Sequence, residues 1–63
     1  MRYFFHAANG EEVYADETGQ ECAGAESAMA QAAIVAGELA DADMEGFWIS
    51  VSDEDGNDIG KVP

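Results

Sequence analysis

The residues with the clearest potential for chemistry lie in one acidic segment, which runs from Asp53 to Ile59 and reads DEDGNDI. A calcium loop of the EF-hand type needs oxygen ligands at its positions 1, 3 and 5, glycine at 6 and a bidentate glutamate at 12. Counted from Asp53, the first three positions fit, but Gly56 falls at position 4 and position 12 is lacking. The flanking residues also resemble strands, whereas an EF-hand loop joins two helices. The segment therefore favours a solvated hairpin turn over a specific calcium site.

His6 and Cys22 are the single histidine and the single cysteine of the chain. Zinc sites usually need several such ligands, and nucleophilic catalysis needs a nucleophile, a base and an orienting group. Neither residue has a local signature of these sites around it, and the sequence has no glycine-rich phosphate loop. We interpret His6 as a partly buried strand residue and Cys22 as a small apolar filler. We expect no enzyme activity, no metal site and no cofactor.

The charge of the chain restricts its partners. Fourteen acidic residues stand against Arg2 and Lys61, which gives a formal net charge of −12. Such a field repels phosphate backbones and anionic headgroups, so we expect neither nucleic acid nor a membrane as a partner. Basic proteins and divalent cations are attracted instead. A hydrophobic content of 48% indicates a packed core rather than disorder.

Length and cysteine content suggest where the chain works. Residues 1–63 are enough for a single small domain. The lone thiol of Cys22 is typical of a reducing compartment. The apolar start, Met1 to Ala8, is too short for a secretory signal, and no stretch approaches the roughly 18 apolar residues of a membrane span. We therefore expect a cytoplasmic location.

The first half of the chain predicts a hairpin. Residues 2–8 are rich in aromatics and run into Asn9-Gly10, the strongest short signal for a type I′ turn. The returning strand is predicted from Glu11 to about Asp16. Thr18-Gly19 then turns the chain into a short extended piece over residues 20–23.

The middle of the chain predicts one helix from about Gly24 to Ala40, because apolar residues recur there at helical spacing. The predicted inner face comprises Ala25, Ala28, Met29, Ala32, Val35, Ala36 and Leu39. Asp41, Asp43 and Glu45 are unfavourable at the negative end of a helix dipole. We predict that these residues form a loop closed by Gly46.

The last part of the chain predicts two strands. Residues 47–52 alternate in direction, with Phe47, Ile49 and Val51 on one face and Trp48, Ser50 and Ser52 on the other. Asp53 to Asn57 is predicted to form a turn, and Ile59 to Val62 the returning strand. The predicted fold is α+β with the order β-β-α-β-β. It is a four-stranded, mainly antiparallel sheet in the spatial order 2-1-3-4, with one helix on one face. This order places the strands that are apolar on both faces at the centre.

A single helix leaves one face of the sheet uncovered. We expect Trp48 on that face, joined by Tyr14 and by alternate residues of the first strand. The aromatics there form either a second small core or a surface for a protein partner, including a second copy of the chain. Ile34 is a separate candidate on the outer side of the helix, where Ala30 and Gly37 flank it.

Several segments together resemble a known family. They are Arg2-Tyr3-Phe4-Phe5-His6, Asp16-Glu17-x-Gly19-x-Glu21 before an alanine-rich helix with Glu26, and Val51-x-Asp53-Glu54-x-Gly56 with Val62-Pro63 at the end. The chain resembles a family of very short bacterial proteins known as a domain of unknown function. The resemblance implies a compact α+β domain and supplies no catalytic residues. The sequence differs from the family pattern in lacking arginines on the helix and a proline before Arg2.

Our first functional hypothesis is a non-enzymatic protein-interaction module that forms a homodimer or binds a basic partner. The alternative is a small-molecule or divalent-cation binding domain that uses the aromatic face or the acidic turns. An enzyme built around Cys22 and His6 is the least favoured hypothesis. The candidate interaction residues are Trp48, Tyr14 and Ile34.

Overall fold

The computed structural model describes residues 1–42 and 46–63. Its elements are β1 (Arg2–Ala8), β2 (Val13–Tyr14), β3 (Gln20–Glu21), α1 (Ala25–Asp41), β4 (Trp48–Asp53) and β5 (Asp58–Val62). Within these two ranges, no helix is long and apolar enough to cross a lipid bilayer.

The strands form one antiparallel sheet in the order β2-β1-β4-β5. Because β4 and β5 are the third and fourth predicted strands, the predicted order 2-1-3-4 is confirmed. The sheet has a fifth strand, since the extended piece predicted over residues 20–23 pairs at Gln20 and Glu21 with the start of β1. β2 and β3 thus share one edge of β1, and residues 15–19 connect them.

The helix packs on one face of this sheet through side chains that are mostly methyl groups. Ala28 and Ala32 have no exposed surface, and they contact a core formed with Tyr3, Ile49 and Val51. The rest of the predicted inner face is partly buried against this core, except Ala25, which is exposed. Small side chains allow the helix to approach the sheet closely, as the alanine-rich sequence predicts.

The end of the helix differs from the prediction. Asp41 is the last helical residue rather than part of a loop. The helix ends where the N–H of Ala42 donates to the carbonyls of Glu38 and Leu39, both at 3.1 Å. Asp41 is exposed, so water reduces the unfavourable interaction of its carboxylate with the helix dipole. Asp43 and Glu45, predicted in the same loop, lie outside the described residues.

The predicted two-residue turn at Asn9-Gly10 is wrong. Ala8 pairs with Val13, so a four-residue loop joins β1 and β2, and Gly10 does not adopt a positive φ. The side-chain oxygen of Asn9 accepts the N–H groups of Glu11 at 2.9 Å and Glu12 at 2.7 Å. This local bonding supports a longer loop without a left-handed residue. The returning strand is correspondingly shorter than predicted.

Candidate functional site

The sheet face opposite α1 carries a defined set of side chains, which we call the open face. In the β1–β4 register, Phe4 lies opposite Ser52, His6 opposite Ser50 and Ala8 opposite Trp48. Lys61 lies opposite Ser50 on the next strand. Directly opposed residues of an antiparallel pair share a face, and the alternate residues Tyr3, Ile49 and Val51 are in the core. The open face therefore comprises Phe4, His6, Ala8, Trp48, Ser50, Ser52 and Lys61.

Tyr14 does not lie on the open face, which corrects the expectation that it joins Trp48 there. Tyr14 is opposite Ala7, and Ala7 is opposite Ile49 of the core. The Tyr14 ring is thus on the helix side of the sheet, with its centroid 5.9 Å from that of Phe47. The expectation failed because β1 and β4 carry large apolar side chains on both faces, so their sequences do not fix which sides combine.

Val13, Tyr14, Phe47 and Trp48 nevertheless meet at one end of the sheet, which we call the aromatic end. Val13 and Trp48 flank Ala8 on the open face, while Tyr14 packs on Phe47 on the other face. Val13 is 71% exposed and Tyr14 is 52% exposed, whereas Phe47 and Trp48 are half-buried. β2 exposes both of its side chains because it is a two-residue edge strand.

Charged groups border the aromatic end on both faces. The Lys61 ammonium lies 5.2 Å from the Trp48 ring centroid, a distance suited to a cation–π contact. The Tyr14 hydroxyl donates a hydrogen bond to the Glu12 carboxylate, which raises the pKa of Tyr14. Glu11 is exposed beside Glu12 in the β1–β2 loop. The rim is thus acidic next to β2 and cationic over Trp48.

Ile34 lies apart from both aromatic candidates. It is 58% exposed on the outer side of α1, as the helical periodicity predicted. Ala30 and Gly37 beside it are exposed as well. Since the helix packs on the core through its opposite side, the structure does not combine Ile34 with Trp48 or Tyr14 into one surface.

His6 and Ser52 form a hydrogen-bonded pair on the open face that no pattern in the sequence predicts. His6 Nε2 is 2.9 Å from Ser52 Oγ, and His6 Nδ1 accepts the backbone N–H of Asp16 at 3.0 Å. A neutral imidazole that accepts at Nδ1 carries its proton on Nε2 and donates it to the hydroxyl. A base for a serine nucleophile needs the reverse tautomer. The pair therefore positions Ser52 and His6 rather than activating Ser52.

Between β2 and β3, the Asp16 side chain takes the place of a strand as a hydrogen-bond partner of β1. Its carboxylate accepts the N–H of Phe5 at 3.2 Å and those of Thr18 and Gly19 at 3.1 Å each. Partial burial opposes ionisation, but the hydrogen bonds from Gly19, Phe5 and Thr18 outweigh it and hold the pKa of Asp16 below its ordinary range. The sequence predicted a turn at Thr18-Gly19, and the aspartate two residues earlier was the available signal for this side-chain cap.

The Asp53 carboxylate likewise accepts hydrogen bonds that close a turn, here the β4–β5 turn. The carboxylate is buried and accepts the N–H of Asn57 at 2.9 Å, the side-chain amide of Asn57 at 3.1 Å and the N–H of Asp55 at 3.0 Å. These bonds, that of the Asn57 N–H foremost, hold the pKa of Asp53 below its ordinary range. The predicted hairpin turn is present, and the Asp53 carboxylate, considered as the first calcium ligand, accepts hydrogen bonds within it. Residues 1–42 and 46–63 contain neither a pocket nor a cluster of His, Cys, Asp and Glu arranged around a metal position.

Cys22 and His6 lie on opposite sides of the sheet. Cys22 is partly buried against the core on the helix side, and its N–H donates to the Met1 carbonyl at 3.0 Å. This is the position predicted for an apolar filler. His6 is a half-buried residue of β1, as predicted, but it belongs to the open face.

Comparison with known proteins gives one relationship. No curated protein and no solved structure matches the chain. A family model described as a domain of unknown function, DUF6894, matches residues 2–63. This match covers both sheet edges, the helix and the open face. The chain therefore belongs to the DUF6894 family.

Proposed function

We propose that this domain is a non-enzymatic protein-interaction module that binds its partner through the aromatic end. The observation that supports this most is the exposure of Val13, 71%, and Tyr14, 52%, directly beside the half-buried Phe47 and Trp48. A partner that removes adjacent apolar groups from water lowers the free energy of the complex. Aromatic residues of this kind dominate the energetics of protein interfaces.

The shape of the aromatic end favours recognition by side chains over addition of a strand. β2 has two residues, so it offers very few unpaired backbone groups to an incoming strand. The exposed Glu11 and Glu12 next to it act against edge-to-edge pairing. A partner must therefore cover Val13 on one side of the sheet and Tyr14 on the other.

The partner that fits this surface is a basic protein segment with an apolar centre. Glu11 and Glu12 lie at the rim, and the net charge of −12 attracts positive charge from a distance. A second copy of the chain brings the same negative charge. Debye screening at physiological salt confines this repulsion to about 8 Å, so self-association requires salt, whereas binding a basic partner does not. The second copy is thus the alternative occupant.

The proposed setting is the bacterial cytoplasm. The resemblance to very short bacterial proteins supports the source, and the free thiol of Cys22 suits a reducing compartment.

Tryptophan fluorescence tests the proposal directly, because Trp48 is the single tryptophan. We expect synthetic peptides with a Leu/Phe centre and Lys/Arg flanks to change its emission saturably. The same peptides with Glu flanks serve as the charge control and are expected not to bind. Tyr14→Ala is expected to weaken binding roughly 30-fold, which corresponds to about 2 kcal/mol for a hot-spot residue. Trp48→Ala should have a similar effect, measured by calorimetry.

Ile34→Ser is the matched control, because it removes an exposed apolar side chain from the other surface. It should leave peptide affinity unchanged. Affinity lost in Ile34→Ser but retained in Tyr14→Ala would move the binding site to the helix. Sedimentation that shows a salt-dependent dimer, abolished by Tyr14→Ala, would identify the second copy as the occupant. A wild-type protein that binds no peptide and stays monomeric at high salt would rule out the proposal.

A further inference from the structure

The segment between β2 and β3, residues 15–19, folds over one end of the open face, and we call it the flap. Gly19 lies so close to this face that a Cβ on it would be 2.8 Å from the Phe4 ring and 2.8 Å from Arg2 Cγ. The Arg2 guanidinium donates to the Thr18 carbonyl at 3.0 Å. The flap thus covers Phe4 at the end of the sheet away from Trp48 and Val13.

One hydrogen bond from the flap to His6 can form only with a neutral imidazole. The N–H of Asp16 donates to His6 Nδ1 at 3.0 Å, while Nε2 donates to Ser52 Oγ at 2.9 Å. A protonated imidazole has no lone pair at Nδ1 and presents an N–H there instead. Two N–H groups would then face each other, and the backbone amide of Asp16 would lose its acceptor.

We propose that His6 is a proton-sensitive latch for the flap. Protonation of the imidazole releases the backbone of Asp16, and the flap moves away from Phe4 and uncovers this end of the open face. Histidine is the side chain whose charge ordinarily changes between about pH 5 and 8. The latch therefore links the exposure of an aromatic sheet surface to proton concentration.

The charged groups around His6 act in both directions. Arg2 lies on the same face of β1, and Lys61 lies in the same cross-strand row on β5, so both oppose an imidazolium. The acidic residues on the other elements beside this face, which favour an imidazolium, are Asp58 on β5, Glu21 on β3, and Asp16 and Glu17 in the flap.

The carboxylate of Asp16 lies next to the latch and attracts an imidazolium, so it limits how far the flap moves. Its oxygens accept three N–H groups, from Phe5, Thr18 and Gly19. An imidazolium that donates Nδ1–H to this carboxylate competes with those donors. The ion pair keeps the Asp16 side chain near His6, so the release concerns the backbone amide of Asp16 and the turn at Thr18 and Gly19.

Nuclear magnetic resonance of the ¹⁵N-labelled protein tests the latch without ambiguity, because the chain has one histidine. At about pH 8 we expect the Nε2–H tautomer. From about pH 8 to pH 5 the amides of Asp16, Thr18 and Gly19 and the ring of Phe4 should shift with the midpoint of the imidazole itself. The protection factor of the Asp16 amide, which corrects for the intrinsic slowing of exchange in acid, should fall roughly tenfold, as local opening predicts.

Two variants separate the latch from a general effect of acid. His6→Phe keeps a ring next to Phe4 but has no acceptor and no titrating group, so its flap amides should have low protection factors at every pH in this range. Ser52→Ala removes the Nε2 partner and keeps the Nδ1 bond, so the response to pH should persist. An Nδ1–H tautomer at pH 8, flap amides indifferent to the imidazole titration, or an unchanged response in His6→Phe would each overturn the proposal.

Discussion

Gly19 and Gly56 share a backbone conformation but differ in what surrounds them. Both adopt positive φ, 74° and 86° respectively. A Cβ on Gly19 would clash with Arg2 and Phe4, whereas a Cβ on Gly56 would have no atom within 4 Å. Substitution of both glycines therefore distinguishes the free-energy cost of a left-handed backbone from the cost of displacing the flap from Phe4.

We predict that Gly56→Ala lowers the free energy of unfolding by about 1 kcal/mol, the cost of placing a Cβ in the left-handed region. Gly19→Ala should lower it by about 2–3 kcal/mol, because displacement of Phe4 and Arg2 adds to that cost. Gly10→Ala is the control, since Gly10 has neither a positive φ nor a neighbour within 4 Å. Its effect should stay within about 0.5 kcal/mol. Urea denaturation measures all three, and equal losses for Gly19→Ala and Gly56→Ala would show that the flap does not pack on Phe4.

For single residues, the sequence predicted the exposed side of the helix better than the contacts between residues far apart in the chain. Helical periodicity placed Ile34 on the outer side of α1 correctly, because that side depends only on local spacing. The face of Tyr14 depends on the register of β1 against β4, which involves residues far apart in the chain. The hydrogen bonds of His6 with Ser52 and Asp16 are non-local for the same reason, and no pattern in the sequence announces them.

At the scale of elements, β1, α1, β4 and β5 were predicted nearly at their observed bounds. Each has an apolar pattern with a clear period and a turn signal beside it. β2 and β3 are two residues long and carry no periodic pattern, so the sequence predicted them only as longer segments, residues 11–16 and 20–23. Their positions depend on side chains, since Asn9 closes the loop before β2 and the Asp16 carboxylate fills the edge between β2 and β3.

The contact between α1 and the sheet leads to an element-scale prediction. Ala32 has no exposed surface, so Ala32→Leu must displace the helix or the strands beneath it. We expect a loss of about 1–3 kcal/mol in the free energy of unfolding, as overpacking of a core typically gives. Ala33→Leu adds the same side chain at the neighbouring, exposed position and should change stability by less than about 0.5 kcal/mol. Thermal or urea unfolding of the two variants compares them, and similar losses in both would show that the inner face of the helix is not closely packed.

At the scale of the whole molecule, charge and pH act on stability in two opposite ways. Between about pH 7 and pH 5, protonation of exposed carboxylates reduces the net charge of −12 and its self-repulsion, so stability rises on acidification. The pKa values of Asp16 and Asp53 are lowered in the folded state, against about 3.9 in the unfolded chain. Their stabilisation is complete above that unfolded value and is lost as the pH falls through the folded values.

We therefore predict maximum stability between about pH 4 and 6, measured as the urea midpoint from about pH 8 to pH 2. Sodium chloride at about 0.5 M should raise the midpoint at pH 7 by screening, and should leave the acid limb in place because hydrogen bonds within turns cause it. Asp53→Asn should be less stable than the wild type at pH 6 and should show a flatter acid limb. A thermal midpoint that falls between low and moderate salt at pH 7, or stability that keeps rising below pH 3, would contradict this balance.

The central pairing of β1 with β4 also determines the order of events while the chain folds. Phe4 pairs with Ser52, so the middle of the sheet joins segments that are more than forty residues apart. Closing so large a loop delays folding, because its entropic cost precedes the contacts that offset it. During synthesis, the aromatic residues of β1 leave the ribosome long before their partner strand exists. An aromatic strand made so long before its partner strand is exposed to aggregation in that interval. Ten of the fourteen acidic side chains lie between β1 and β4, and their charge makes nascent copies repel each other before β4 is made.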